Sequence, residues 1–193
     1  MAPTPPSVPE AALEARGWRR LDDRTETVFE GLGVAVQSRT LVYEDRDLRS
    51  KIAAAGGPDR VWRFLFVAAL EITPQPILGA HAALRPRVLR EAKRAFAEEL
   101  RKRGIEEISA GATERTELAG DRRARVTPYR GQQPIGEKEG NEGAKTIDVV
   151  GKLALWYGDG FRIAGAAGPS GTVAGCEIET DLWELLDLIR TVA

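Results

Sequence analysis

The sequence predicts an α+β domain: an antiparallel sheet of about six to seven strands, with amphipathic helices packed on it as a sandwich. Three observations carry this. Strand-like segments come in consecutive pairs joined by short glycine-containing links, at Gly31-Leu32-Gly33, Ala119-Gly120-Asp121-Arg122 and Gly158-Asp159-Gly160, and such pairs make hairpins. One long stretch, Pro86–Arg103, has helical periodicity instead. The 193 residues, 42% hydrophobic and 30% charged, suit a single domain with a real core.

The elements follow in order. Residues 1–6 are Pro-rich and read as a flexible arm before a domain over 7–193. Ser7-Val-Pro-Glu10 has the capping-box pattern, so a short helix is expected through Arg16, ended by Gly17. Trp18 to Tyr43 reads as a hairpin; Val34, Val36, Ser38, Thr40 and Val42 share one strand face, and Ala35, Gln37, Arg39, Leu41 and Tyr43 the other. Asp45 or Asp47 can cap a helix over Leu48–Ala55, which Gly56-Gly57-Pro58 ends. Val61–Ile72 is apolar, β-branched and aromatic, the mark of a central strand covered on both faces.

Ile77–Leu84 is expected to be an irregular connector. The helix Pro86–Arg103 then places Val88, Leu89, Ala92, Ala95, Phe96 and Leu100 on one face, and Gly104 is its C′ residue. Two hairpins follow, and between them residues 131–145, with four glycines, read as a mobile loop. The last helix starts near Asp181, with Glu184 completing the cap and Leu182, Leu185, Leu186 and Ile189 facing the core.

Composition excludes several classes of function. A single cysteine, Cys176, and a single histidine, His81, rule out an internal disulfide and His- or Cys-rich metal centres. No apolar run approaches the roughly 18 residues of a membrane-spanning helix. The N-terminus shows no secretory signal, so a cytoplasmic location is expected. The net charge of −1 gives no global pull toward nucleic acid or anionic membranes. Its distribution is uneven: Arg85–Arg103 holds eight basic and three acidic residues, while Glu177–Asp187 holds five acidic and no basic ones.

The Trp18–Tyr43 hairpin, the long middle helix and the late run GKLALWYGDGFRIAGAAGPSG before a closing helix together resemble the α/β/α sandwich of the Mog1/PsbP-like group. VPEAALEARGWRR and the closing hairpin are also similar to an uncharacterised family of small archaeal proteins, often lipoproteins, though the chain has no lipobox cysteine and no strongly acidic surface. The resemblance implies a binding or accessory role; it is topological and carries no site residues across.

Several groups could bear chemistry. Gly165–Gly175 and the glycines at Gly31 lack the spacing of a phosphate loop or dinucleotide fingerprint, and hairpin geometry accounts for them. His81 and Cys176 could form a nucleophilic pair only if folding brought them together. Asp45, Asp47, Glu98-Glu99 and Glu106-Glu107 could supply oxygen ligands, without EF-hand spacing; Glu98–Lys102 and Glu99–Arg103 suit helix ion pairs. Trp62, Trp156, Tyr157 and Trp183 read as core. The strongest candidate is a basic surface for phosphates: Arg87, Arg90, Arg94 and Arg101 on the long helix, joined by Arg123, Arg125 and Tyr129 on a hairpin, with Arg85, Lys93, Lys102, Arg122 and Arg130 nearby.

The leading reading is a non-catalytic binding or accessory protein that engages a protein partner or small ligand. It needs no cofactor and has no assigned catalytic or metal residue. The alternatives are a nucleic-acid-associated protein using the Arg85–Arg103 helix, and an enzyme with a carboxylate or Cys–His site.

Overall fold

The computed structural model describes residues 3–31, 33–75, 80–118, 122–136 and 145–193. Leu32, positions 77–79 of the expected connector, 119–121 of the expected turn and 137–144 of the expected loop lie outside the described residues. The elements are α1 (Glu10–Glu14), β1 (Trp18–Gly31), β2 (Val34–Asp45), α2 (Arg46–Ala54), β3 (Phe64–Thr73), α3 (Ala80–Lys102), β4 (Glu106–Ala110), β5 (Glu114–Glu117), β6 (Arg123–Pro134), β7 (Thr146–Tyr157), β8 (Phe161–Val173), β9 (Cys176–Ile178) and α4 (Leu182–Val192). The expected α+β class holds. One open antiparallel sheet runs β1-β2-β3-β8-β7-β6-β4, with β5 beside β6 and β9 beside β8.

Strand alternation divides the core in two. On β7, Val149, Leu153 and Leu155 join Phe96 and Leu100 of α3, while Val150, Ala154 and Trp156 join Leu13 of α1 and the leucines of α4. The sheet is therefore covered on both faces. The middle strand β8 carries Ala164, Gly165, Ala166, Ala167 and Gly168, all buried, and small residues let both helix layers approach. At Gly165 an added Cβ would lie 2.3 Å from Phe66 Cε1 and 3.1 Å from Phe96 Cε2. Phe96 also packs edge-on against Tyr129, with ring centroids 4.9 Å apart.

Caps and burial correct several local expectations. Asp45 does cap α2, accepting from Leu48 N at 2.9 Å, and Asp181 caps α4 through Trp183 N and Glu184 N, both at 2.7 Å. Glu184 turns instead to Arg63, 2.8 Å away. The Ser7 capping box does not form: α1 begins at Glu10 with no side-chain cap, because Glu10 is drawn to Arg20 at 2.9 Å and the Tyr43 hydroxyl at 3.2 Å. Within the expected arm, Pro3 and Pro6 are buried.

The long helix starts at Ala80 and contains Pro86, so 80–84 is helix and not connector. Leu84 packs into the core beneath α3 and His81 stacks on Tyr157; these tertiary contacts support the turn before the proline. Ala95 is exposed, lying about 100° around the helix from Phe96. Residues 131–134, expected in a loop, extend β6 with Gln133 buried. Trp183 is 72% exposed: it falls on the side of α4 opposite the stripe of Leu185, Ile189 and Val192.

The hairpin β1–β2 is tied to α2 through Glu44, whose carboxylate is fully buried. It accepts from Arg19 and from Arg49 Nη1 at 2.9 Å, and Arg49 continues to Asp59 at 2.6 Å. Burial pushes the Glu44 pKa up, but the hydrogen bonds from Arg49 and Arg19 outweigh it and hold the carboxyl below its ordinary 4.5.

Two outcomes are expected. Gly165→Ala should lower stability by about 1–3 kcal/mol in urea unfolding, because Phe66 and Phe96 must move. Glu44→Gln should cost about 1–3 kcal/mol at neutral pH. The folded pKa of Glu44 is depressed, so its contribution is present above the unfolded value and disappears as pH falls through the folded one. Acid unfolding of Glu44→Gln should accordingly show a shallower loss of stability below pH 4.5 than the parent.

Candidate functional site

The residues expected to act as one surface divide into three groups. Along the exposed side of α3, Arg87 lies over the Phe29 ring, 5.3 Å from its centroid. Arg90 and Arg94 flank Glu91 at 4.0 and 2.8 Å, and Arg101 stands exposed in the last turn. Tyr129 is not at the surface. It is buried under α3 against Phe96, and its hydroxyl donates to the Lys93 carbonyl at 3.3 Å. Burial pushes its phenol pKa up to about 12. The physical reason is its place on β6: Tyr129 lies beneath the middle of α3, whereas Arg123 and Arg125 share its face nearer the strand's start, where that cover thins.

Arg123 and Arg125 belong to the third group. They line a cavity of about 210 Å³ together with Arg85 of α3, Arg115 of β5 and Leu155 of β7, with Ala124 and Trp156 completing the wall. Arg115 and Arg125 are direct cross-strand partners. Among the described residues, none of Arg85, Arg115, Arg123 and Arg125 has a carboxylate within 4.0 Å. Glu117, which faces Arg123 across the strands, stays outside that distance. Like charges directly opposite each other in a sheet are destabilising. The arrangement leaves four guanidiniums ready for a negatively charged group, to which a guanidinium can offer two parallel hydrogen bonds.

Arg115 is not among the residues the sequence singles out, although a signal for it exists. A hairpin turning about position 120 pairs residues symmetric about it, which sets Arg115 opposite Arg125 and Glu117 opposite Arg123. Arg85 lay at the edge of the basic run, and only the placement of α3 brings it over the sheet.

Other candidates are separated or occupied. His81 stacks on Tyr157 with centroids 4.2 Å apart, while Cys176 Sγ faces the Lys51 carbonyl at 3.8 Å. The 13-residue strand β8 runs between those two neighbourhoods, about 40 Å at a strand's rise, so no Cys–His pair forms. Gly165–Gly171 lies within β8 and opens no phosphate loop. Asp45 is engaged as a helix cap, and no group of three His, Cys, Asp or Glu side chains suited to a metal occurs among the described residues. A second cavity of about 160 Å³ sits by the β7–β8 turn between Leu70, Gln75, Tyr157 and Phe161. Among the described residues no helix is long and apolar enough to cross a membrane.

Compared with known families, residues 5–193 match a domain of unknown function, DUF6517. No curated protein and no solved structure matches the chain.

The burial of Tyr129 has a spectroscopic consequence. In an alkaline titration followed by phenolate absorbance, Tyr129 should ionise near pH 12. Tyr43, raised by burial and by Glu10, should also ionise above the ordinary 10. Unfolding should return both to the ordinary range, and a surface Tyr129 would titrate there without unfolding.

Proposed function

We propose, for a chain that belongs to the DUF6517 family, a non-catalytic binding role in which the four-arginine cleft holds a compact anion with two or more negative charges, such as a phosphate ester or a dicarboxylate. The observation that carries this reading is the facing pair Arg115 and Arg125, reinforced by Arg85 and Arg123 around one cavity without a described carboxylate in ion-pair range. A dianion converts their mutual repulsion into shared attraction. The volume of about 210 Å³ lies below the roughly 300–1,000 Å³ of drug-sized ligand pockets, so the cleft suits a small ligand or an acidic group presented by a protein partner. The reading fits the accessory role implied by the Mog1/PsbP-like resemblance, and a cytoplasmic setting fits a chain with one thiol.

Calorimetry with inorganic phosphate and pyrophosphate tests it. Binding should be saturable and stronger for pyrophosphate, and Arg115→Ala or Arg125→Ala should each weaken it by about tenfold, roughly 1.4 kcal/mol. The same variants should melt no lower than the parent without ligand, because each removes one of two facing like charges. Arg94→Ala, on the helix surface beside Glu91, should leave binding unchanged. Absence of saturable binding, or equal losses in all three variants, overturns the proposal. Tight binding of a single-stranded oligonucleotide that falls steeply with salt and depends on Arg87, Arg90, Arg94 and Arg101 would favour the nucleic-acid reading instead.

A further inference from the structure

Lys152 lies on β7 on the face opposite the arginine cleft, among residues that pack against α4. It is one of six lysines, and 91% of its surface is buried, its exposure being 9%. Most buried lysines are held by a carboxylate. Among the described residues, Lys152 Nζ has no carboxylate within 4.0 Å and no hydrogen-bond partner. The 9% that stays exposed is the window the side chain keeps to solvent. The indole of Trp183 stands beside that window, its centroid 5.3 Å from Nζ. Trp183 is itself 72% exposed and leaves the core stripe of α4 entirely.

We infer that Lys152 is a site of reversible imine formation with an aldehyde or ketone, with the Trp183 indole as one wall for the carbonyl compound's apolar part. A lysine amine is a nucleophile only when unprotonated, and a desolvated lysine without an acidic partner is the usual way a protein obtains one. Burial lowers the Lys152 pKa, and Arg190 on α4 adds to this; Asp181 and Asp187 on α4 and Glu114 on β5 act in the opposite direction and do not cancel it, while the Trp183 ring, within cation–π reach of Nζ, also favours the ammonium. Its strand neighbours, Pro128 on β6 and Ala166 on β8, carry no charge.

The step is balanced without oxidant or reductant. The Nζ lone pair adds to the carbonyl carbon, and the C=O π pair moves to oxygen. That oxygen gains a proton and the nitrogen loses one, giving a carbinolamine. Loss of water leaves the C=N bond, and hydrolysis reverses it. This site is independent of the cleft, because the two lie on opposite faces of the sheet.

The test is reductive trapping of the folded full chain at pH 7 with propanal and cyanoborohydride, followed by peptide mapping. A neutral aldehyde gives the arginines nothing to bind. Lys152 should be labelled about fivefold faster than the exposed Lys51 and Lys102, with its rate–pH midpoint below theirs. The preference should vanish in concentrated urea. Trp183→Ala, which removes an exposed side chain and so leaves the fold intact, should reduce it. Labelling of Lys152 no faster than Lys51 and Lys102 in the folded chain overturns the inference, as does a preference that survives unfolding. An unchanged preference in Trp183→Ala overturns the part given to the indole.

Discussion

The contact on which the architecture depends is the close approach of two phenylalanines to the backbone of β8. Gly165 presents no Cβ, so the Phe66 ring fills the space where one would stand, and Phe96 rests beside it. Phe96 is the buried centre of α3, touching Phe64, Phe66 and Tyr129. These rings set how closely α3 lies on the sheet and where along it. The placement of Arg85 over β5, β6 and β7 follows from that seat, as does the burial of Tyr129.

Charge is managed differently at the two sides of the sheet. Around β1, β2 and α2 the guanidiniums meet carboxylates: Arg19 and Arg49 at Glu44, Arg39 at Asp23, and Arg63 at Asp45 and Glu184. The long edge strand β1 exposes Leu21, Val28 and Phe29, yet it is crossed by ion pairs from Arg20 and Arg24 and interrupted by two register shifts. Charges and bulges of this kind discourage a second strand from pairing with an edge. At the other side, Arg115, Arg123 and Arg125 crowd a short hairpin with no such neutralisation among the described residues. That contrast within one molecule gives the arginine cleft its weight.

The two faces of β7 show the same division of labour. Toward α3 it contributes Leu155 to the floor of the cleft. Toward α4 it contributes Lys152, an amine set into an apolar layer beneath an indole that the core does not use. Alternation along one strand thus supplies one wall of the arginine cleft and an amine facing away from it.

Hairpins, the central strand and both long helices were legible because each depends on residues a few positions apart. Gly158-Asp159-Gly160 marks a turn, Asp45 and Asp181 cap helices, and the period of Phe96, Ala92 and Leu100 marks a buried face. The same local signals named Arg123 and Arg125. What they could not supply is which distant segments meet. Local signals put Tyr129 outside and Tyr157 and Trp183 inside, the reverse of their burial, and start α3 a turn and a half late, because Leu84 and His81 make contacts with strands far along the chain. Most elements and their order follow from such local signals, because backbone geometry and amphipathic period are local; the division of 106–117 into β4 and β5, the extension of β6 to Pro134 and the strand β9 do not. The tertiary structure alone decided that Arg85, Arg115, Arg123 and Arg125 converge, that His81 and Cys176 stay apart, and that Lys152 is buried unpaired. Those outcomes depend on sheet order and on the seating of α3 and α4, which are set by packing between residues widely separated in the chain.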